Sequence, residues 1–221
     1  KSKNTGVFGD QAKDTGIPSE VWRFYLLSNR PEQSDSAFYW DDLADKNNNE
    51  LLKNLGNFVN RCLAFVYNRM DATVPACGEK TERETKLIEE VNAVLKKYNE
   101  AMYGTHLKAG LKYAMEISHL GNQYLQDAEP WAVLKTNPAL CGTICYVAVN
   151  LVYLISNIFE PFMPGFSDKV CYQLNMDHGM IPTTFEELVP AGHKINQILP
   201  IFKRIEPEQV KELREKFRGH N

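Results

Sequence analysis

Asparagine and arginine placed four residues apart on a helix can grip one planar ligand, because i and i+4 side chains are neighbours on the helix surface. Asn57 and Arg61 have that spacing. The asparagine amide carries both a donor and an acceptor, which suits the edge of a nucleobase. The guanidinium adds a rigid donor fork and a flat face for stacking. A solvated helix face with an Asn–Arg hydrogen bond gives the same pattern, so the spacing alone leaves both readings open. Trp131 directly follows Pro130. A tryptophan behind a proline that ends a helix has little freedom. Unpaired RNA bases stack on such rings, although a tryptophan there serves equally well as core.

Long helices must position these residues. Leu51, Leu52, Leu55, Val59, Cys62, Leu63 and Val66 recur at helical spacing and predict a helix from Asp41 or Asp42 to about Asn68. Stepped at ~100° per residue, Asn57 and Arg61 fall on its polar side near Asn54. Before it, Ile17-Pro18-Ser19-Glu20 opens a helix with Pro18 at the first helical position, stopped by Arg30-Pro31. Ala37-Phe38-Tyr39-Trp40 is a short aromatic run. After the loop 71–79, a helix is predicted from Glu82 to Tyr103. Gly104-Thr105 then breaks the chain and supplies an N-cap for the next helix. That helix carries Leu107, Leu111, Ala114, Met115, Ser118, Asn122 and Leu125 on one side and ends before Glu129. Asn137-Pro138 caps an apolar helix that Pro161 and Pro164 close, and a shorter helix runs from Ser167 to Leu174. Residues 175–200 read as irregular, with a turn of helix at Phe185-Glu186-Glu187-Leu188. Pro200 to Ile205 reads as a strand or a bound segment, and a charged helix runs from Glu206-Pro207-Glu208 to about Phe217. The fold class expected is all-α, an antiparallel helical bundle behind a small irregular N-terminal unit. The expected divisions are 1–40, 41–176 and a tail, 177–221, whose terminal helix packs back on the core.

Composition narrows the function classes. With 43% hydrophobic residues in 221, the chain can bury a core. A net charge of −3 is not that of a uniformly basic nucleic-acid binder. RNA binding would need a local patch and specific base contacts. The basic residues Lys80, Arg83, Lys86, Lys96, Lys97, Lys108 and Lys112 either follow a nucleic-acid backbone or solvate an outer face. Cys62, Cys77, Cys141, Cys145 and Cys171 form no CxxC pair and have no His or carboxylate partners at ligand spacing. They read as small buried hydrophobes in a reducing cytoplasm, and no metal is expected. His106, His119 and His193 read as structural or surface residues. Ala139 to Phe159 has no charge and the length of a membrane span, yet it carries Thr143, Asn150, Ser156 and Asn157 without a basic flank. It reads as the core helix of a bundle, and no membrane contact is expected. The opening Lys1-Ser2-Lys3-Asn4 has no initiator methionine and no secretory signal, which reads as a fragment of a longer protein.

Several stretches together resemble methionyl-tRNA synthetases, nearly end to end. Leu51-Leu52-Lys53-Asn54-Leu55-Gly56-Asn57-Phe58-Val59-Asn60-Arg61 is similar to the first anticodon-domain helix of that family. Gly121-Asn122-Gln123-Tyr124 followed by Pro130-Trp131 resembles its second signature. Val7-Phe8-Gly9-Asp10, Asp14-Thr15-Gly16-Ile17-Pro18 and Trp22-Arg23-Phe24-Tyr25-Leu26-Leu27 resemble the cytosolic eukaryotic branch after its catalytic Lys-Met-Ser-Lys-Ser loop. Lys1-Ser2 would be the last two residues of that loop. Pro190-Ala191-Gly192-His193-Lys194-Ile195 and Leu213-Arg214-Glu215-Lys216-Phe217 resemble the same branch. Residues 70 to 115 are the least diagnostic.

The resemblance implies a class I ligase that activates methionine with ATP, with Mg, and transfers it to tRNA(Met). This chain shows neither the His-x-Gly-His signature nor a phosphate loop. It is therefore expected to hold no cofactor, to be inactive alone, and to comprise the stem-contact region plus the anticodon-binding domain. The resemblance assigns Asn57, Arg61, Pro130 and Trp131 to the CAU anticodon, and gives Lys1 the place of the loop's second lysine, which stabilises phosphate charge. The implied partners are the tRNA(Met) anticodon loop and an upstream catalytic domain of the same chain, in the cytoplasm. The alternative reading is a helical interaction module docking to a multi-synthetase assembly, supported by the charged helix from Glu206 to Phe217. An independent hydrolase or metalloenzyme finds no nucleophile triad or ligand spacing to support it.

Overall fold

The computed structural model describes residues 9–32 and 35–218. Among them it is all helix and loop, joined by one isolated antiparallel bridge between Thr73 and Lys194. A 3-10 turn, Ala12–Thr15, leads into α1 (Ser19–Ser28), where Pro18 stands just ahead of the helix instead of inside it. Val21, Phe24 and Tyr25 of α1 are buried in the same core as the bundle.

The long helix exists, but its winding changes twice. It runs as α2 (Trp40–Asp45), a π-helical stretch (Lys46–Gly56) and α3 (Asn57–Arg69) without a break. At the end of the wide stretch the Asn57 N–H donates to the Leu52 carbonyl, five residues back. Local π winding recurs at functional sites, and here two of its asparagines hold the tail. Asn47 donates to the Lys203 carbonyl at 2.8 Å. Asn48 exchanges hydrogen bonds with Ile205 at 2.9 Å each way. Those bonds settle the Pro200–Ile205 segment as a bound one, not a strand. Phe202 stacks on Phe166 at 5.7 Å and lies over Gly56.

Five further helices follow. Helix α4 (Glu82–Tyr103) opens on a capping box between Thr81 and Glu84. Helix α5 (Leu107–Ala128) lies antiparallel to it. Its N-cap is His106, without a side-chain cap bond, and not Thr105, which adopts φ 56° in the turn before. A short α6 (Pro130–Thr136) then leads to α7 (Pro138–Phe159), capped as predicted by Asn137, whose Oδ1 accepts from the Leu140 N–H at 3.1 Å. Helix α7 is long and apolar enough to cross a membrane by length and composition. The structure buries it at the centre of the bundle instead, with Ile144, Val147, Val149, Leu151 and Ile155 fully enclosed. Its polar residues are used inside: Asn150 donates to the Val189 carbonyl at 3.2 Å and accepts the Val189 N–H at 2.8 Å. The following helix, α8, begins earlier than predicted (Pro164–Leu174).

Residues 185–188 form no helical turn; Phe185 is held instead through its N–H on Asn92 of α4. The 190–195 stretch pairs with the loop after α3. The Val74 N–H donates to the His193 carbonyl and the Gly192 N–H to the Val74 carbonyl, both at 2.8 Å. Gly192 turns the chain at φ 83°, where a side chain is strained. The last helix, α9 (Pro207–Lys216), returns to α2 through Val210 and Leu213, an Arg214–Asp41 contact at 2.6 Å and Phe217 against Trp40. Trp40 belongs to a cluster with Trp22 and Phe38 that joins α1 to α2.

Candidate nucleic-acid interface

Two close approaches bring Asn57, Arg61 and Trp131 onto one surface. The first is between α3 and α5. A Cβ on Gly121 would lie 2.5 Å from the Phe58 ring, so only glycine lets the two helices meet this closely. The second is the corner after α5. Glu129 takes a left-handed φ of 43°, Pro130 opens α6, and the Cys141 thiol donates to the Pro130 carbonyl at 3.2 Å. Pro130 therefore starts a helix as well as ending one. It is buried, and it sets Trp131 at the edge of the bundle with 39% of its surface exposed.

The Arg61 guanidinium lies over the Trp131 ring, 4.9 Å from its centre, and also reaches Gln126 Oε1 at 3.4 Å. Asn57, one turn earlier, is half-buried against α5 and donates from Nδ2 to Asn122 Oδ1 at 3.0 Å. Beside Asn57 a groove of 590 Å³ runs between the π stretch and the bound tail segment, lined by Leu52, Gly56, Asn60, Ile201 and Phe202. The surface thus offers a planar cation on an aromatic ring, an amide and a groove. Together these can stack on and hydrogen-bond to a splayed base.

Sequence reasoning missed Asn122 and Gln126 as direct partners of Asn57 and Arg61. Each of the two pairs is 65 residues apart in the chain, so only the antiparallel pairing of α3 with α5 joins them. The basic residues of α4 and α5 are exposed for the most part; Lys80 instead pairs with Glu187 at 3.0 Å. Four cysteines are buried, as their reading as hydrophobes requires, whereas Cys77 is partly exposed. Burial pushes the Cys62 and Cys171 thiols up, so they stay protonated.

A second polar cluster also escaped the sequence. His178 meets Asp168 at 2.9 Å through Nε2 and Ser167 at 3.3 Å through Nδ1. It has the order of a nucleophile triad but not its chemistry. Ser167 is fully buried with its proton committed to the Ser156 carbonyl, and the cluster clasps the chain after α8 to that helix. Lys1 lies outside the described residues.

Residues 74–221 match the family model of the anticodon binding domain of methionyl tRNA ligase, and residues 1–63 match that of class I tRNA synthetases (M). Asn57 and Arg61 fall in one match and Trp131 in the other. The chain is 49% identical to the probable cytoplasmic methionine–tRNA ligase of Dictyostelium discoideum over 99% of its length. It is 43% identical to the cytoplasmic methionine–tRNA ligase of Xenopus laevis, again over 99%. It spans 30% and 25% of those proteins. The apo methionyl-tRNA synthetase of Mycobacterium tuberculosis shares the fold, with a TM-score of 0.81 at 20% identity over 91% of this chain and 42% of that one. The chain therefore belongs to the methionyl-tRNA ligase family, whose anticodon-binding domain it matches across residues 74–221.

Proposed function

We propose that this chain is the part of a cytoplasmic methionine–tRNA ligase that holds tRNA(Met) by its CAU anticodon. One observation carries the reading: the Arg61 guanidinium lies over a tryptophan that is still 39% exposed, with Asn57 one turn away on the same helix. In this reading Asn57 and Arg61 hydrogen-bond to the Watson–Crick edges of splayed bases. Trp131 is the stacking platform, and Pro130 fixes the angle at which it is presented. Each contact is worth about 1–3 kcal/mol.

Residues 1–40 then belong to the end of the catalytic core and the stem-contact region, 41–176 to the anticodon-binding domain and 177–221 to a tail. Ligation with ATP and Mg belongs to the whole enzyme, with an upstream catalytic domain as the partner in the same chain and Lys1 as a remnant of its signature loop. No step of that reaction is assigned to the residues described. Docking to a multi-synthetase assembly is the weaker reading, because α9, its main support, packs back on α2 through Val210 and Leu213.

The test is a titration of anticodon stem-loops, CAU against a scrambled loop, at two salt concentrations, with Trp131→Ala alongside. The expected result is a preference for CAU at both concentrations that the variant loses. If the two loops bind alike and only salt matters, the contacts are to phosphate and the base-reading assignment is wrong.

A further inference from the structure

The amides beneath the site leave Asn57 only one way round. A main-chain carbonyl can only accept a hydrogen bond, and Asn122 Nδ2 lies 2.8 Å from the Asn54 carbonyl and 3.0 Å from Asn54 Oδ1. Asn54 is itself fixed, with the Ser118 hydroxyl donating to its Oδ1 at 3.0 Å and its Nδ2 facing the Met115 carbonyl at 3.4 Å. Asn122 must therefore point its nitrogen at Asn54 and its oxygen at Asn57. Asn57 answers with Nδ2, at 3.0 Å. Turned over, Asn57 would set one amide oxygen against another. Its Oδ1 consequently faces away from α5, where no donor among the described residues reaches it.

We infer that Asn122 is a positioning residue of the anticodon site. By fixing the Asn57 amide it makes the outward atom an acceptor, which favours the 4-amino group of cytosine or the 6-amino group of adenine over the keto oxygen that uracil or guanine sets at the same place. The inference rests on the anticodon reading above and deepens it. Arg61 brings donors only, so the two side chains present one acceptor and a donor fork. An amino group beside a ring nitrogen acceptor complements that pattern on both cytosine and adenine. The first two bases of CAU carry such amino groups and the third does not. The Asn54–Asn122–Asn57 chain thus acts on which base is accepted, not only on how strongly the helices pack.

The experiment measures the binding of CAU, UAU, CGU and scrambled stem-loops to this chain and to its Asn122→Leu and Asn122→Asp variants. Folding of each is checked by denaturation. The unaltered chain is expected to prefer CAU over at least one amino-to-keto swap by about tenfold, the worth of one hydrogen bond. Asn122→Leu removes the oxygen that holds Asn57, and the ratio falls to within about twofold. Asn122→Asp loses both donations to Asn54 and is less stable, yet it keeps an oxygen opposite Asn57 Nδ2 and keeps the ratio. A ratio that survives in Asn122→Leu, or that falls equally in both variants in step with stability, overturns the inference. If the unaltered chain prefers CAU to the scramble but ignores both swaps, the inference alone falls. If it does not tell CAU from the scramble, the anticodon reading falls with it.

Discussion

Asn122 and Tyr124, two residues apart on α5, enter two polar seams built on opposite terms. The Tyr124 hydroxyl donates to Glu84 Oε1 at 2.8 Å, and the Thr81 N–H and hydroxyl donate to the other carboxylate oxygen at 2.8 and 2.6 Å. Glu84 is fully buried, and both of its oxygens are engaged. Burial, with the charge of Glu84 and its hydrogen bond, pushes the Tyr124 hydroxyl up, so it remains a donor. The seam around Asn122 satisfies its inner groups in the same way but stops at a half-buried rim, where Asn57 Oδ1 and most of the Arg61 fork meet no partner among the described residues. A closed network fixes the fold. An open one at the end of a fixed chain of amides is a place where a ligand can complete the bonding.

That contrast is broken most sharply at Glu84. Glu84→Ala would leave the Tyr124 and Thr81 donors buried without an acceptor and cost about 3 kcal/mol of stability, read by urea denaturation. The molecules still folded should bind the CAU stem-loop as before; a large loss of affinity in the folded fraction would show that the two seams are one. Gly121→Ala comes next, because it acts on both. Its Cβ meets the Phe58 ring at 2.5 Å in a closed core, so α3 and α5 must separate, at about 2 kcal/mol. Here affinity should fall together with stability, since the same separation stretches the Asn57–Asn122 bond.

The helix that carries Asn57 and Arg61 was legible because its apolar residues recur at helical spacing and polar side chains interrupt them on one side only. The Pro130 corner was legible because proline restricts the chain wherever it stands. The partners across the groove were not. Nothing local to Asn57 names Asn122, and nothing in Lys46–Gly56 announced the wide winding or the bonds of its Asn47 and Asn48 to the tail at Lys203 and Ile205, more than 150 residues on. Thr105 has the side chain of an N-cap but is placed at φ 56° by the turn. Local preference yields there to the angle at which α5 must meet α4. His178 was invisible because its cluster with Asp168 and Ser167 closes only when the chain after α8 doubles back.

On the open side, effects should move from stability to binding. Trp131→Ala removes a ring with 39% exposure, so its effect on folding should be small while CAU affinity falls by about 1–2 kcal/mol. A loss of stability as large as the loss of affinity would mark Trp131 as core. The smallest change is also the most selective. Arg61→Lys keeps the charge but replaces a planar fork, lying 4.9 Å over the tryptophan, with a compact ammonium. If Arg61 serves only to attract phosphate, affinity and its salt slope should be unchanged, because counterion release follows the number of charges. If its fork and flat face meet a base, affinity for CAU should fall by about 0.5–1 kcal/mol at constant salt slope, while binding of a scrambled loop stays as it was. The salt slope reports charge and the difference between loops reports shape, so the two readings of Arg61 separate in a single set of titrations.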